Sequence, residues 1–273
     1  MLAFGNKQLT KRFNLIKLLI LSAFLFVVNS QAEMISKDIR YKVSDTFYKS
    51  TIVYSDKVAK NAPLIVMVPN WKGMTAESLK KAKLVAGDKY IVMMADLYGE
   101  TVRPKDAQEA KIASSAMKSN IPLFRKVMNK SVDVLKVEGK KLNGDQDKMA
   151  AIGFCFGGSA VLESLRSGKD LKAVVSFHGN LTTPNLEDAK NITGKILVLH
   201  GAIDPVVPKS EIESFEKEMN AANVDWQLVS FSGAVHSFTN PTANSKGRSI
   251  YHPLVAKRSF KMMNNFFDEV FKN

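Results

Sequence analysis

The sequence MAAIGFCFGG, residues 149–158, joins a short apolar run to a glycine-framed turn, and a helix-like stretch follows it. The run at residues 149–152 has the length and composition of a buried strand. Glycines on either side of Cys155 let the chain bend sharply and leave the cysteine raised above the end of the strand. This strand, turn and helix predict a nucleophile elbow of the form Gly-x-nucleophile-x-Gly, with a thiol as the nucleophile.

Cys155 is the only cysteine of the chain. Taken without its context, a lone cysteine in a chain with 45% hydrophobic residues is expected to be a small buried hydrophobe. The glycine frame favours a chemical role instead. It places the thiol at a helix N-terminus, where unpaired N–H groups and the helix dipole stabilise a thiolate. The backbone N–H of Phe156 could then receive an oxyanion.

A candidate acid and a candidate base follow downstream, in the order that sites built on such an elbow use. Asp204 comes after the apolar run at residues 196–199, and His236 comes after the run at residues 226–231. Because active sites of open α/β sheets lie in loops that follow strands, Cys155, Asp204 and His236 are expected to meet at one edge. On its own, Asp204 is equally consistent with an ordinary turn aspartate before proline.

His178 also follows a predicted strand, at residues 173–177, and is the alternative candidate for the base. Its position before Asp204 in the chain argues against that role. The four histidines of the chain are dispersed and lack the close spacing of metal ligands, so no metal site is expected. Acyl transfer through a thiol and an imidazole requires no cofactor.

Several motifs resemble the dienelactone hydrolase family of α/β-hydrolases, over roughly residues 35–270. They stand in the family's order: DLY at 96–98, GFCFGG at 153–158, FHG at 177–179, HG at 200–201 with Asp204 and Pro208, and HSF at 236–238. The resemblance implies a carboxylic ester hydrolase in which Cys155 is the nucleophile, His236 the base and Asp204 the residue that orients the imidazole.

The resemblance further implies an oxyanion hole formed by the backbone N–H groups of Phe156 and Trp71. The chain departs from the founding members where they carry a glutamate in contact with the cysteine, because the matching residue here is Asn70. An arginine that they carry beyond the HSF motif is also missing, since TNP follows at residues 239–241. A neutral or differently charged small ester or lactone is therefore expected as the substrate, rather than the anionic dienelactone.

Without a carboxylate at position 70, the Cys155 thiol is expected to ionise more readily than in the founding enzymes. The candidate substrate contacts are Asn70, Tyr98, Phe154 and His178. The loop at residues 239–252 is interpreted either as a wall of the binding site or as a mobile surface connection. The same constellation serves other acyl transfers, so a thioesterase, an acyltransferase and a peptidase remain alternatives. A noncatalytic binding protein with a vestigial or redox-sensitive thiol is a further alternative.

Residues 1–32 have the pattern of a secretory signal peptide. Four basic and no acidic residues lie in residues 1–17, residues 18–28 are almost entirely apolar, and Ser30 and Ala32 are small, which predicts cleavage after Ala32. An apolar core of this length is short of the about 20 residues that span a bilayer. A periplasmic or secreted protein is expected, without stable membrane insertion after cleavage. The alternatives are an uncleaved signal anchor and a buried helix.

The formal net charge of +13 comes from 39 basic and 26 acidic residues. Since four of the basic residues lie in residues 1–32, residues 33–273 carry 35 basic and 26 acidic ones, a net charge of +9. The lysines are scattered rather than clustered with stacking aromatics, so nucleic acid is not an expected partner. The expected partner is a small-molecule ester or lactone, and the oligomeric state is left open.

Residues 33–273 are predicted to form a single α/β domain. Short apolar runs of the kind buried on both faces alternate with helical patterns, which is typical of a mostly parallel sheet flanked by helices on both faces. Alternation at residues 39–43 and strand formers at residues 47–54 predict an antiparallel edge before the core. Apolar stripes after Pro122, Pro208 and Pro253 predict helices that begin near these prolines.

Overall fold

A computed structural model describes residues 32–272. The predicted signal peptide, residues 1–32, lies outside the described residues except for Ala32. Within the described range, no helix combines the length and hydrophobicity that a bilayer-spanning segment needs.

The core is an eight-stranded sheet with the order β1-β2-β4-β3-β5-β6-β7-β8. Its first two strands pair antiparallel, β2 pairs antiparallel with β4, and the remaining strands pair in parallel. The predicted parallel sheet with an antiparallel N-terminal edge is therefore confirmed. The strands are β1 (Met34–Val43), β2 (Thr46–Ser55), β3 (Pro63–Val68), β4 (Ile91–Met94), β5 (Asp145–Phe154), β6 (Ala173–Phe177), β7 (Lys195–Gly201) and β8 (Trp226–Phe231).

Helices cover both faces of this sheet. One face packs against α1 and α6, and the other against α2, α3, α4 and α5, so that the central strands are buried on both sides. A short 3-10 helix (Leu186–Asn191) and a small hairpin of β9 (Asn244–Ser245) and β10 (Ser249–Ile250) complete the described fold. The helices are α1 (Ala76–Ala86), α2 (Ala107–Ser119), α3 (Ile121–Lys141), α4 (Phe156–Arg166), α5 (Lys209–Ala221) and α6 (Pro253–Val270).

The helix starts follow local chemistry. Thr75 accepts a hydrogen bond from the Ser78 N–H at the start of α1, and Asn120 accepts one from the Leu123 N–H at the start of α3. Proline occupies the first turn of α3 and of α6, where a missing N–H costs no helical hydrogen bond. The helices predicted after Pro122, Pro208 and Pro253 therefore begin near these residues.

A buried ion network holds α4 against its neighbours behind the elbow. Arg166, only 1% exposed, donates to both carboxylate oxygens of Glu218 on α5, at 2.8 and 2.7 Å. It also pairs with Glu163 at 2.9 Å and donates to the Leu181 carbonyl at 2.7 Å. Removing one member of such a network leaves the others charged and uncompensated in a dry environment.

Replacing Arg166 by methionine is expected to lower the free energy of unfolding by about 3–5 kcal/mol, because the buried Glu218 carboxylate loses its counterion and Glu163 keeps only Arg125, at 2.7 Å. Urea unfolding followed by circular dichroism measures the change. Arg40→Met is the control, since Arg40 pairs with Glu100 at 2.7 Å on the surface and is 54% exposed. Equal losses in the two variants would contradict the role given to the buried network.

Candidate active site

The turn between β5 and α4 leaves no room for a side chain at its glycine positions. Cys155 adopts φ 55° and ψ −116°, a conformation that non-glycine residues rarely take. A Cβ on Gly153 would lie 1.9 Å from the Gly157 carbonyl oxygen, and one on Gly157 would lie 2.2 Å from the Val68 carbonyl oxygen. The glycines therefore allow the elbow to form against the end of β3, and the strained cysteine is left partly exposed.

Asp204 and His236 meet beyond the carboxyl ends of β7 and β8. The His236 Nδ1 donates to Asp204 Oδ2 at 2.9 Å, and both residues are buried. The other carboxylate oxygen, Oδ1, accepts the Val206 N–H at 2.8 Å and the Val207 N–H at 3.4 Å. These amides fix the carboxylate, so the imidazole is held by a group that cannot easily turn away.

Cys155 and His236 shift the pKa of each other. Burial raises the pKa of the Cys155 thiol, but hydrogen bonding and charge from His236, together with the Phe156 N–H, bring it below its ordinary value. Burial lowers the pKa of His236, but Asp204 and Cys155 raise it to about 9. The His236 Nε2 is buried and makes no well-formed hydrogen bond within residues 32–272. These directions favour a thiolate beside an imidazolium at neutral pH.

The loop after β3 is fixed beside the elbow. Tyr98 donates its hydroxyl to the Trp71 carbonyl at 2.9 Å, and its ring lies 5.4 Å from the Phe156 ring. Asn70 closes a turn, because its Oδ1 accepts the Lys72 N–H at 2.9 Å and its carbonyl accepts the Gly73 N–H at 2.9 Å. These bonds set the direction of the peptide group at Trp71, whose N–H is the second candidate oxyanion donor.

Tyr98, for which a substrate contact stays a prediction, interacts electrostatically with the Cys155 thiol. Burial raises the pKa of its phenol, and the charges of Cys155 and Asp96 raise it further. Asn70 lines a neighbouring cavity, while its side chain oxygen serves the turn. Both residues therefore organise the loop that carries Trp71.

His178 and Phe154 lie beside the elbow in different roles from that of His236. The His178 ring packs edge-on against the His236 ring at 5.1 Å, and its Nε2 lies 2.9 Å from the Thr239 hydroxyl oxygen. Burial holds the pKa of His178 well below its ordinary value, so this imidazole is neutral. Phe154 stacks on Phe177 at 4.7 Å and lines the neighbouring cavity. Asp204 is bonded to His236 rather than to His178, which removes the support for His178 as the base.

The loop at residues 239–252 is tied to the strand end that carries His236. The His236 carbonyl accepts the Ile250 N–H at 3.2 Å, and the Phe238 carbonyl accepts the His252 N–H at 3.1 Å. Thr239 and Tyr251 are among the loop residues that line the cavity. The loop therefore forms part of the wall of this neighbouring cavity, and a wall of the substrate site stays a prediction.

Sequence reasoning missed Lys81 on α1. Its Nζ lies 4.2 Å from the centre of the Phe154 ring and donates to the Thr239 hydroxyl at 3.4 Å. A lysine on an amphipathic helix is expected to be solvated, and no sequence motif marks this one. Only the folded position of α1, which packs on β2 and β4, brings it beside the elbow.

The comparisons with known proteins agree with this architecture. The model of the dienelactone hydrolase family matches residues 50–271. The solved structure of m3DLH is 34% identical, with a TM-score of 0.81 over 87% of this chain and 98% of that one. A dienelactone hydrolase-like promiscuous phosphotriesterase from metagenomic libraries is 30% identical, with the same TM-score of 0.81 over 87% of this chain and 98% of its own. An Escherichia coli K12 protein provisionally named carboxymethylenebutenolidase is 22% identical over 76% of this chain and 77% of its own.

The Cys155 thiol is expected to titrate below a free thiol's pKa of about 8.5. The rate of iodoacetamide alkylation, measured against pH, should therefore have a lower midpoint than that of free cysteine. In His236→Asn the midpoint should rise, because burial remains while the stabilising imidazole is lost. His252→Asn is the matched control, since asparagine also caps a helix such as α6. A wild-type midpoint above that of free cysteine would contradict this expectation.

Proposed function

Since the chain belongs to the dienelactone hydrolase family and is a carboxylic ester hydrolase, we propose that Cys155, His236 and Asp204 form its catalytic triad. The substrates are small carboxylic esters or lactones. The observation that carries the proposal is the buried hydrogen bond of 2.9 Å between His236 Nδ1 and Asp204 Oδ2, and the directions in which Cys155 and His236 shift the pKa of each other agree with it.

Acylation begins with the thiol proton already on the His236 Nε2, and the Cys155 thiolate attacks the acyl carbon. The carbonyl π electrons move to oxygen, and the backbone N–H groups of Phe156 and Trp71 stabilise the oxyanion. Collapse of the tetrahedral intermediate breaks the bond to the alkoxy oxygen, and the imidazolium protonates the leaving alcohol. The product of this half-reaction is an acyl-thioester on Cys155.

Deacylation repeats these steps with water. His236 removes a proton from water, the hydroxide attacks the thioester carbonyl, and the thiolate leaves as the carboxylic acid forms. Asp204 keeps the imidazole in the tautomer that carries hydrogen on Nδ1 throughout both halves. In a lactone the leaving alcohol stays attached to the acyl chain, so a single hydroxy acid is released.

Two features support an ester or lactone without a required carboxylate. Asn70 replaces the charged residue expected at that position, and its side chain oxygen is used by the turn to Lys72. No arginine follows His236 in the segment 237–243. The first half-reaction is the same for a thioesterase, an acyltransferase and a peptidase. Relative rates with esters, thioesters, peptides and alternative acyl acceptors therefore distinguish these activities.

Hydrolysis of p-nitrophenyl acetate tests the triad. Cys155→Ala and His236→Asn are expected to lower kcat by about 10³-fold or more, and Asp204→Asn by about 10²- to 10⁴-fold, because each removes a step of proton or acyl transfer. His252→Asn should retain the wild-type rate. Mass spectrometry of the quenched reaction should find the acetyl group on Cys155. Full activity in Cys155→Ala would rule out the mechanism, and saturable ester binding without turnover by the wild type would support a binding protein.

We further propose that residues 1–32 direct export to the periplasm or beyond and are removed after Ala32. The support is the sequence pattern: four basic residues, an apolar core and small residues before the cleavage position. N-terminal sequencing of the exported protein is expected to begin at Glu33. A chain that retains residues 1–32 in the membrane fraction would support the signal anchor instead.

A further inference from the structure

A cavity of approximately 1020 Å³ opens beside the elbow, between α1 and α6. Apolar side chains from both helices line it, including Val85, Phe260 and Met263, and Phe154 reaches it from the end of β5. Neither Cys155 nor His236 is among its lining residues. A concave, largely apolar space of this size has the dimensions of a ligand site. It adjoins the proposed catalytic centre and is separate from it.

The charged groups of this cavity are mostly positive. Its lining includes a single acidic residue, Glu77, and five lysines: Lys72, Lys80, Lys81, Lys257 and Lys261. Within residues 32–272, none of these lysine side chains has an ion pair with a carboxylate, whereas Lys89 pairs with Asp268 at 2.9 Å and Lys195 with Asp225 at 3.0 Å. A set of unpaired cations around an apolar space is complementary to a ligand with one anionic end.

Lys81 is the cation at the inner end of this arrangement. Its Nζ contacts neutral groups, the Phe154 ring at 4.2 Å and the Thr239 hydroxyl at 3.4 Å. Thr239 is itself held by His178 at 2.9 Å, so its hydroxyl cannot move freely to follow the ammonium. Burial lowers the pKa of Lys81 to about 8, although the Cys155 charge opposes this effect. A half-buried ammonium without a carboxylate partner carries a desolvation cost, and a bound anion would offset that cost.

We propose that this cavity binds a single-chain anionic amphiphile, with its carboxylate on Lys81 and its alkyl chain between α1 and α6. A small inorganic anion would leave the apolar walls uncovered. The N-terminal segment of this chain is a poor occupant, because residues 1–32 carry four cations and no acidic residue. A second copy is disfavoured in the same way, since residues 33–273 carry a net charge of +9 from 35 basic and 26 acidic residues. The ligand class is therefore a free fatty acid or a carboxylate of similar shape.

Calorimetric titration of the chain with monomeric dodecanoate tests the site. One saturable site is expected, and Lys81→Met should weaken binding about tenfold or more, because the hydrogen-bonded charge pair is lost. Lys83→Met, also on α1 but outside the cavity lining, should change the affinity by less than about twofold. Absence of saturable binding, or equal weakening by the two substitutions, would overturn the proposal.

A second pair of variants acts on the rim, where folding is not at risk. Leu84 lines the cavity and is 67% exposed, and Ile112 on α2 is 64% exposed outside it. Leu84→Glu should weaken dodecanoate binding about tenfold by placing a like charge on the path of the carboxylate, whereas Ile112→Glu should not. Equal affinities in the two variants would overturn the proposal.

Two further experiments complete the test. The first distinguishes a free ligand from a lipid headgroup, and the second distinguishes this proposal from the proposed catalytic function. In sedimentation with phosphatidylglycerol vesicles, we expect no binding that depends on Lys81. Vesicle binding that is lost in Lys81→Met but is not competed by dodecanoate would overturn the assignment of a free ligand. Cys155→Ala should lose ester hydrolysis and still bind dodecanoate with wild-type affinity. Loss of binding in Cys155→Ala, with its fold intact by circular dichroism, would contradict a separate site.

Discussion

Steric exclusion at the turn between β5 and α4 governs the arrangement of the whole site. The Gly157 backbone lies so close to the end of β3 that a Cβ would be 2.2 Å from the Val68 carbonyl oxygen. On the other side, a Cβ on Gly158 would be 2.4 Å from the Ser176 Oγ of β6. Three adjacent strands are thus brought together around one turn. The same closeness forces the positive φ of Cys155 and aims the first N–H groups of α4 toward the space in front of the sulfur.

Electrostatics then divide the residues around this turn into distinct roles. Asp204 is fixed by hydrogen bonds from two backbone amides and raises the pKa of His236. The His236 charge in turn lowers the pKa of the Cys155 thiol. The centre of the His178 ring lies 5.1 Å from that of His236, and His178 is neutral. It therefore packs against His236 without competing for the Asp204 carboxylate. Lys81 is a second cation on the far side of Phe154. The elbow is therefore flanked by two cations with different partners, one paired with a carboxylate and one contacting only neutral groups.

The parts of the molecule that follow from the sequence are those with strong local patterns. The apolar run at residues 173–177 is the strand β6 itself, and the segment GFCFGG predicts the elbow because its glycines have a steric meaning. The helix α2 was not predicted, because its buried residues are Ala110, Ser114 and Met117, a stripe with little apolar contrast. Lys81 could not be predicted either, since its partial burial beside Phe154 arises from the packing of α1 on β2 and β4. The hydrogen bond from Tyr98 to Trp71 likewise joins loops that follow different strands.

The presence of one sulfhydryl in the chain has a practical consequence for enzymology. A thiol reagent modifies Cys155 alone, so no correction for other sites is needed. Alkylation at neutral pH that is faster than that of free cysteine then counts the elbows whose thiol pKa is lowered, and turnover numbers can be referred to that fraction rather than to total protein. A chromophore or spin label attached there would sit at a single known position, between the loop that follows β3 and the imidazole of His236.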